Sequence, residues 1–235
     1  MKRPILLIGA LSVAASVEAQ EITPADVTFD DMRTVLESAG FASYAYDLRS
    51  FLQNDGSYEV AIRIKEYDGD RALDNDRVLH LGSTRLLLSD FPEETRAEIP
   101  DSMLLDPERG IIREGGRLVL GRYPTGIDSI SRWVFSLENG GRGSLQFDLK
   151  AVHAPDQAPF YSYESRPFVM SGFESGKFIP LLLFGSMWYD AQAGVFRFCG
   201  EREIDPDLTK GVIVKQVPHF YILGVELTAK QEATE

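Results

Sequence analysis

The sequence SRWVFSLENGGRGSLQFDLK, residues 131–150, predicts a β-hairpin. Trp133, Phe135 and Leu137 share one face of its first half, and the second half repeats this period of two, which is typical of strands with one buried face. The connecting residues 139–143 are rich in glycine and suit a turn with positive φ angles. The segment therefore predicts antiparallel β-structure.

Two further segments have the periodicity of strands. Residues 58–66 place three aliphatic side chains on one face and charged side chains on the other. The aliphatic residues are Val60, Ile62 and Ile64. Residues 212–227 are apolar at both parities, which is typical of strands buried on both faces, and they predict one or two central strands interrupted at Pro218.

Helical signals are scarce. Residues 28–39 have apolar residues at helical spacing and predict a packing helix, with Thr28 as its N-cap and Gly40 as its stop. A shorter helix is predicted to start at Ser89 or Asp90, with a proline and two glutamates in its first turn.

A second hairpin is predicted around residues 190–194, between the strand-like runs 181–189 and 195–201. Many short strands punctuated by glycine or proline predict an antiparallel two-layer β-sandwich with one or two short peripheral helices. No internal repeat or clear linker divides the chain. We therefore expect residues 20–235 to form one domain; the alternative is a division into two near residues 101–116.

Residues 1–19 have the composition of a secretory signal peptide. Lys2 and Arg3 form its positive start, residues 5–17 form an apolar stretch too short to span a bilayer, and the small side chain of Ala19 suits the signal peptidase. We expect cleavage after Ala19 and a periplasmic or extracellular destination. No cysteine directly follows the apolar stretch, so no membrane anchor is expected.

Charge and cysteine content narrow the classes of function. The chain has 24 Lys and Arg residues against 36 Asp and Glu residues, a formal net charge of −12. Such a surface repels phosphate backbones and anionic lipid, so nucleic acid and membrane surfaces are not expected partners. The single cysteine, Cys199, permits no internal disulfide and is predicted to be a partly buried apolar side chain.

Catalytic motifs are incomplete. Gly176 and the lysine after it resemble the end of a phosphate-binding loop, but Ser171 stands where that loop needs glycine, and Phe178 where it needs a hydroxyl. The three histidines lack zinc-ligand spacing, and His153 and His219 are predicted to be satisfied surface or core imidazoles. No catalytic residue and no cofactor is predicted. The sequence leaves open whether two of the carboxylates form a pair of the kind that hydrolyses glycosides.

The densest anionic segment, residues 68–76, is a candidate calcium loop. Its aspartates are Asp68, Asp70, Asp74 and Asp76. Ala72 stands where a third ligand belongs, no glutamate closes the site, and Arg71 and Arg77 supply counter-charge. Weak calcium binding and a solvated turn without metal are both compatible with this pattern, and the turn is favoured.

The parity of aromatic residues predicts which of them face solvent. Tyr161 and Tyr163 share one parity and are expected to face inward. Trp188 shares its parity with Ser186 and Asp190, so we interpret it as an exposed ring that could stack on a sugar or anchor a protein partner. The alternative is a strand buried on both faces.

Three runs resemble a family of uncharacterised secreted proteins from Bacteroidetes: FASYAYDL at 41–48, AIRIKEY at 61–67 and LGSTRLLLSDF at 81–91. The end of the signal segment, VEAQ at 17–20, is similar to signals common in that group. The resemblance implies a periplasmic or extracellular destination in a Gram-negative bacterium. It implies no activity and no site residue.

The preferred hypothesis is a secreted, non-enzymatic binding or accessory module whose ligand is a glycan or another secreted protein. The alternative is a carbohydrate-active hydrolase that uses two carboxylates.

Overall fold

The computed structural model describes residues 26, 28–52, 56–169 and 174–230. The predicted signal peptide, residues 1–19, lies outside the described residues.

Most of the regular structure is β-strand. The strands are β1 (Ala42–Asp47), β2 (Tyr58–Asp68), β3 (Arg71–Ala72), β4 (Arg77–Ser83), β5 (Arg85–Leu87), β6 (Ile111–Glu114), β7 (Arg117–Tyr123), β8 (Ile130–Leu137), β9 (Arg142–Asp148), β10 (Tyr163–Pro167), β11 (Phe178–Ser186), β12 (Trp188–Asp190), β13 (Val195–Arg197) and β14 (His219–Ala229). The helices are α1 (Phe29–Ser38), α2 (Arg49–Leu52) and α3 (Glu93–Arg96). A 3₁₀ turn, Leu88–Asp90, precedes α3, so the second predicted helix begins a few residues later than expected.

The strands form two main antiparallel sheets. The smaller sheet has the order β1-β7-β8-β9, and the larger has the order β10-β11-β14-β2-β3, with β4 also paired to β2. Two small pairs, β5–β6 and β12–β13, lie outside these sheets. The predicted mainly β, antiparallel sandwich is confirmed. The second hairpin is present as β12–β13, but it is shorter than predicted, because most of the run 181–189 belongs to β11 of the larger sheet.

The two sheets pack face to face around the main core. Trp133 of β8 meets Phe184 of β11 edge to face with ring centroids 5.2 Å apart, and Phe147 of β9 meets Tyr221 of β14 at 4.8 Å. None of the four is more than 1% exposed. Full burial of a phenylalanine contributes about 1.5–3 kcal/mol, so such pairs hold the layers together. The inward faces predicted for residues 58–66 and 131–138 are confirmed.

A second, smaller core covers the outer face of the larger sheet. Phe220 and Ile222 of β14 and Leu183 of β11 form its floor. The non-strand chain after β13 supplies most of its cover, with Ile204, Ile213, Val214 and Val217. Because β14 lies between β11 and β2 and is buried on both faces, the part of the predicted central strand that follows Pro218 is confirmed. The residues before Pro218 form a 3₁₀ turn, Ile213–Lys215, and not a strand.

The turn of the first hairpin differs from the expectation in one respect. The left-handed position is Asn139, with φ of 52°, whereas Gly140, Gly141 and Gly143 do not have positive φ. At Gly141 the glycine is required by close approach, because a Cβ there would lie 2.7 Å from the carbonyl oxygen of Leu81. This turn therefore packs against β4.

Two predictions of burial are wrong. Tyr163 is buried, but Tyr161 is 39% exposed, because it precedes β10 and the parity of a strand does not extend to it. Cys199 is exposed, because the chain has already left β13 there. Among the described helices, none has the length and apolar character needed to cross a bilayer.

Candidate functional site

Helix α1 has an apolar face that the rest of the described chain leaves uncovered. Phe29, Met32, Val35 and Leu36 are 80%, 53%, 65% and 43% exposed. At 100° per residue these side chains fall within an arc of about 120°, which is the width of a stripe that normally faces a core. The helix was predicted to pack, and this is wrong: its limits agree with the prediction, but every side chain described in it is exposed.

The helix ends as the sequence predicts. Gly40 has a φ of 87°, its N–H donates to the carbonyl of Glu37, and the N–H of Phe41 donates to the carbonyl of Leu36, both at 2.9 Å. This is a Schellman motif, which places the residue after the glycine beside the last turn of the helix. Phe41, itself 39% exposed, therefore extends the apolar face at its C-terminal end.

The opposite side of α1 is acidic. Arg33 lies 3.4 Å from a carboxylate oxygen of Asp30 and 3.9 Å from one of Glu37, so its charge is shared between two acids. The sequence of the helix also contains Asp31 and has no other cation. An amphipathic helix with a net negative charge therefore stands at the start of the described fold.

Trp188 is half-buried rather than freely exposed. It pairs with Arg197 across the β12–β13 hairpin, and its ring tilts against Phe198 with centroids 6.5 Å apart. Both rings pack against the smaller core, which covers one side of the indole. A ligand-binding role for Trp188 stays a prediction.

The aspartates of residues 68–76 do not converge. Asp68 ends β2 and pairs with Lys150 at 3.0 Å and Arg71 at 3.6 Å, and Asp76 lies 3.9 Å from Arg63. Asp70 and Asp74 are exposed. No group of three or more His, Cys, Asp or Glu side chains in the described part of the chain has an arrangement that could hold a metal ion. Lys150 and Arg71 therefore neutralise the charge of Asp68.

A directional chain of hydrogen bonds closes one end of the main core. The backbone N–H of Lys150 donates to the Tyr163 hydroxyl at 3.0 Å, so that hydroxyl donates to Nδ1 of His219 at 2.5 Å. Nε2 of His219 then donates to Oε1 of Glu66 at 2.9 Å, and the amide of Asn75 donates to Oε2 of Glu66 at 2.6 Å. We assign His219 as the neutral tautomer protonated at Nε2.

The pKa values in this network follow from burial and hydrogen bonding. Burial lowers the pKa of His219 and outweighs its hydrogen bond to Glu66. Burial also raises the pKa of Glu66, but the hydrogen bonds from His219 and Asn75 outweigh it, so the net shift is downward. Burial raises the pKa of Tyr163. At neutral pH the network is therefore a neutral tyrosine, a neutral histidine and a carboxylate.

Tyr163, His219 and Glu66 are the residue types of a catalytic relay, but the histidine is not accessible to a substrate. His219 is 1% exposed, and both its ring nitrogens have protein partners. A substrate cannot reach the imidazole without displacing one of them. The prediction that His219 is a satisfied core imidazole is confirmed. The network has a structural role, because it closes one end of the main core.

Sequence reasoning missed the exposure of α1 and the partners of His219. The apolar spacing of α1 is the same whether the helix packs inside its own fold or against another molecule. Glu66 and Tyr163 could not be linked to His219 either, because the three residues lie on β2, β10 and β14 and meet only through the pairing of the larger sheet.

Comparisons with known proteins give a family and nothing beyond it. The family model described as "Domain of unknown function (DUF5041)" matches residues 11–229, which is nearly the whole chain. Comparison with curated proteins and with solved structures produced no match. The chain therefore belongs to the DUF5041 family.

Proposed function

We propose that this chain is an exported, non-enzymatic binding module that attaches to a partner protein through the apolar face of α1. The observation that carries the proposal is the joint exposure of Phe29, Met32, Val35 and Leu36 on a single face. Large apolar side chains scattered singly on a surface are ordinary, whereas several on one face mark an interaction site.

The spacing of these residues suits insertion into a groove. Phe29, Met32 and Leu36 stand at positions i, i+3 and i+7, which are the anchors of an amphipathic helix that lays one face into an apolar groove. A helix of this length is only marginally stable by itself in water. Docking would both bury the face and stabilise the helix.

The charge of α1 indicates the chemistry of the partner. Asp30, Asp31 and Glu37 outnumber Arg33, and the whole chain carries a formal charge of −12. A groove with Lys or Arg along its rim would attract this helix, and a second copy of the chain would repel it. We therefore assign the occupant as a different protein with an apolar, cation-rimmed groove.

Export is part of the same proposal. A signal segment that is removed after Ala19 would leave α1 close to the new N-terminus, where a partner can reach it. The composition of that segment and the resemblance to secreted Bacteroidetes proteins support a periplasmic or extracellular site of action. The intact mass of the exported form, starting at Gln20, tests this.

Hydrolysis is less well supported than binding. A two-carboxylate glycosidase needs one carboxylic acid that stays protonated near neutral pH. The hydrogen bonds to Glu66 and Asp47 lower the pKa of each carboxyl group instead, even though burial opposes the shift at Glu66. Both are held as carboxylates.

Site-specific photo-crosslinking in a Bacteroidetes host tests the attachment. The full chain would carry p-benzoylphenylalanine at Val35, with a matched probe at Thr34, which lies outside the apolar face of α1. We expect one discrete adduct with another protein from Val35 and none from Thr34. The non-covalent complex of the unlabelled chain with the partner identified from that adduct should weaken with added salt and be lost in Val35→Asp.

Three outcomes would contradict the proposal. They are no adduct from either position, equal adducts from both, and an adduct with the mass of two copies of this chain. The last would assign the face to self-association, which light scattering on the purified protein would confirm independently.

A further inference from the structure

A cleft of about 320 Å³ opens at the end of the smaller sheet, away from α1 and from the His219 network. It is lined by Ala45, Tyr46, Asp47, Arg49, Arg117 and Glu138. Ligand pockets usually span about 300–1,000 Å³, so this cleft suits a single small ring rather than a long chain.

Backbone contacts build the floor of the cleft. Asp47 at the end of β1 lies opposite Arg117 at the start of β7, and the N–H of Glu138 donates to the carbonyl of Arg117 at 2.8 Å. Only glycine fits at position 115, because a Cβ there would lie 1.6 Å from the carbonyl oxygen of Glu138. At Gly116 a Cβ would lie 2.4 Å from Cγ of Arg49. The charged side chains that line the cleft are therefore attached to closely packed backbone.

Asp47 is held as a carboxylate by its neighbour. Nε of Arg49 donates to both its carboxylate oxygens, at 2.9 and 3.0 Å, and the backbone N–H of Arg49 donates to Oδ1 at 2.9 Å. These hydrogen bonds lower the pKa of Asp47 to about 2. Asp47 can accept hydrogen bonds from a ligand, but it cannot donate a proton as a general acid near neutral pH.

Two other groups face the cleft with capacity to bind. Glu138 accepts a hydrogen bond from the N–H of Gly116 at one carboxylate oxygen, Oε2, at 3.1 Å. The guanidinium of Arg117 makes no hydrogen bond or ion pair with any residue that the structure describes, although its charge helps to lower the pKa of Asp47. A guanidinium offers five N–H donors in one plane.

The charges in the cleft select a neutral ligand. The two arginines and the two acids cancel, so neither a strong anion nor a strong cation is favoured. Carboxylate acceptors and guanidinium donors side by side match a hydroxyl, which donates one hydrogen bond and accepts others. Adjacent hydroxyls on one ring would engage Asp47, Arg117 and Glu138 together.

We propose that this cleft binds a neutral sugar ring, either free or at the end of a glycan, and does not cleave it. The site is separate from α1, so a protein partner and a sugar would occupy different surfaces. The sugar site also differs from Trp188, which lies on the β12–β13 hairpin.

Titration of the mature protein with methyl glycosides of glucose, galactose, mannose, fucose and N-acetylglucosamine tests the proposal. Binding would be followed by ligand-observed NMR at millimolar sugar. We expect at least one glycoside to bind wild type, and Arg117→Ala to bind it about tenfold or more weakly, as expected for loss of a charge-assisted hydrogen bond. Arg142→Ala is the matched control, because Arg142 is exposed at the start of β9 and does not line the cleft.

Each other outcome would overturn the proposal. One such outcome is that none of the five sugars binds, and another is that Arg117→Ala and Arg142→Ala lose binding equally. A third is that Trp188→Ala abolishes binding while Arg117→Ala does not. The fourth is that acetate competes with the sugar as well as a second sugar does. Release of p-nitrophenol from the matching p-nitrophenyl glycoside would overturn the statement that the sugar is not cleaved. Circular dichroism of each variant confirms that the fold is retained.

Discussion

Nε2 of His219 lies 2.9 Å from Oε1 of Glu66, although the two residues are 153 positions apart in the chain. Their strands, β14 and β2, are neighbours in the larger sheet, and His219 is paired with Asp68, two residues beyond Glu66. Side chains two residues apart on a strand share a face, so Glu66 and His219 both point into the main core. Their hydrogen bond closes the end of that core.

We predict that His219→Ala destabilises the fold by at least about 2 kcal/mol, because it removes the hydrogen bond to Tyr163, at about 0.5–1.5 kcal/mol, and the one to the charged Glu66, at about 1.5–3 kcal/mol. Urea unfolding measures this. His153→Ala is the control, since His153 is exposed and surface changes usually stay within about 0.5 kcal/mol. Equal effects of the two substitutions would show that the network does not stabilise the protein.

We predict that the free energy of unfolding decreases as the pH falls. Burial lowers the folded-state pKa of His219 below its ordinary value of 6.5, so the unfolded chain binds the proton first and stability is lost from about pH 6.5 downward. Lys150 reinforces this shift, while Glu66 and Asp68 oppose it. Because the pKa of Glu66 is also lowered, a second loss begins below its ordinary value of 4.5. Urea titrations from pH 7.5 to 4 measure both losses, and a stability that is flat or rises as the pH falls to 5.5 would contradict the assignment of His219.

We predict that Val35→Asp leaves the free energy of unfolding of the isolated protein unchanged within about 0.5 kcal/mol, because Val35 is 65% exposed and does not pack on the sheets. Val60→Asp is the contrast: Val60 is 1% exposed in the main core, and a buried unpaired charge is strongly destabilising. Thermal melts of both variants suffice. A large loss of stability in Val35→Asp would show that α1 packs on its own fold.

We predict that Gly115→Ala costs about 1–3 kcal/mol, the usual range for overpacking, because the new Cβ meets the carbonyl of Glu138 and the backbone must shift. Gly121→Ala on β7 is the matched control, since its Cβ would find its nearest neighbour at 3.9 Å. Urea unfolding compares the two. If Gly115→Ala is as stable as Gly121→Ala, the cleft floor is looser than the structure indicates.

We predict that melting temperatures are the same in millimolar Ca²⁺ and in chelator. Lys150 and Arg71 already neutralise Asp68, and Asp70 and Asp74 are exposed rather than gathered around one point. Saturation at 100 times the dissociation constant would add about 2.7 kcal/mol, which a thermal melt resolves. A rise that Asp74→Asn abolishes would assign calcium to this loop.

Much of the architecture follows from local pattern. The period of two in residues 58–66 and 131–150 predicts the strands and their inward faces. The apolar residues at both parities of 212–227 predict one or two central strands, of which only β14, after Pro218, is present. The limits of α1 follow from Thr28 and Gly40. Local pattern failed where the chain leaves a strand, as at Tyr161, because alternation has meaning only while the backbone is extended and paired.

The candidate sites could be predicted only in part. The sequence determined by itself that α1 has an apolar face, that His219 is not a zinc ligand of the usual spacing, and that the chain is strongly acidic, because each depends on residue type and spacing along one segment. The tertiary structure alone decided that nothing described covers α1, that Glu66 and Tyr163 meet His219, and that Asp47 faces Arg117. These are relations between distant segments, and they depend on strand order and register. The same local patterns allow many strand pairings, and hydrogen bonding and core packing determine which of them forms.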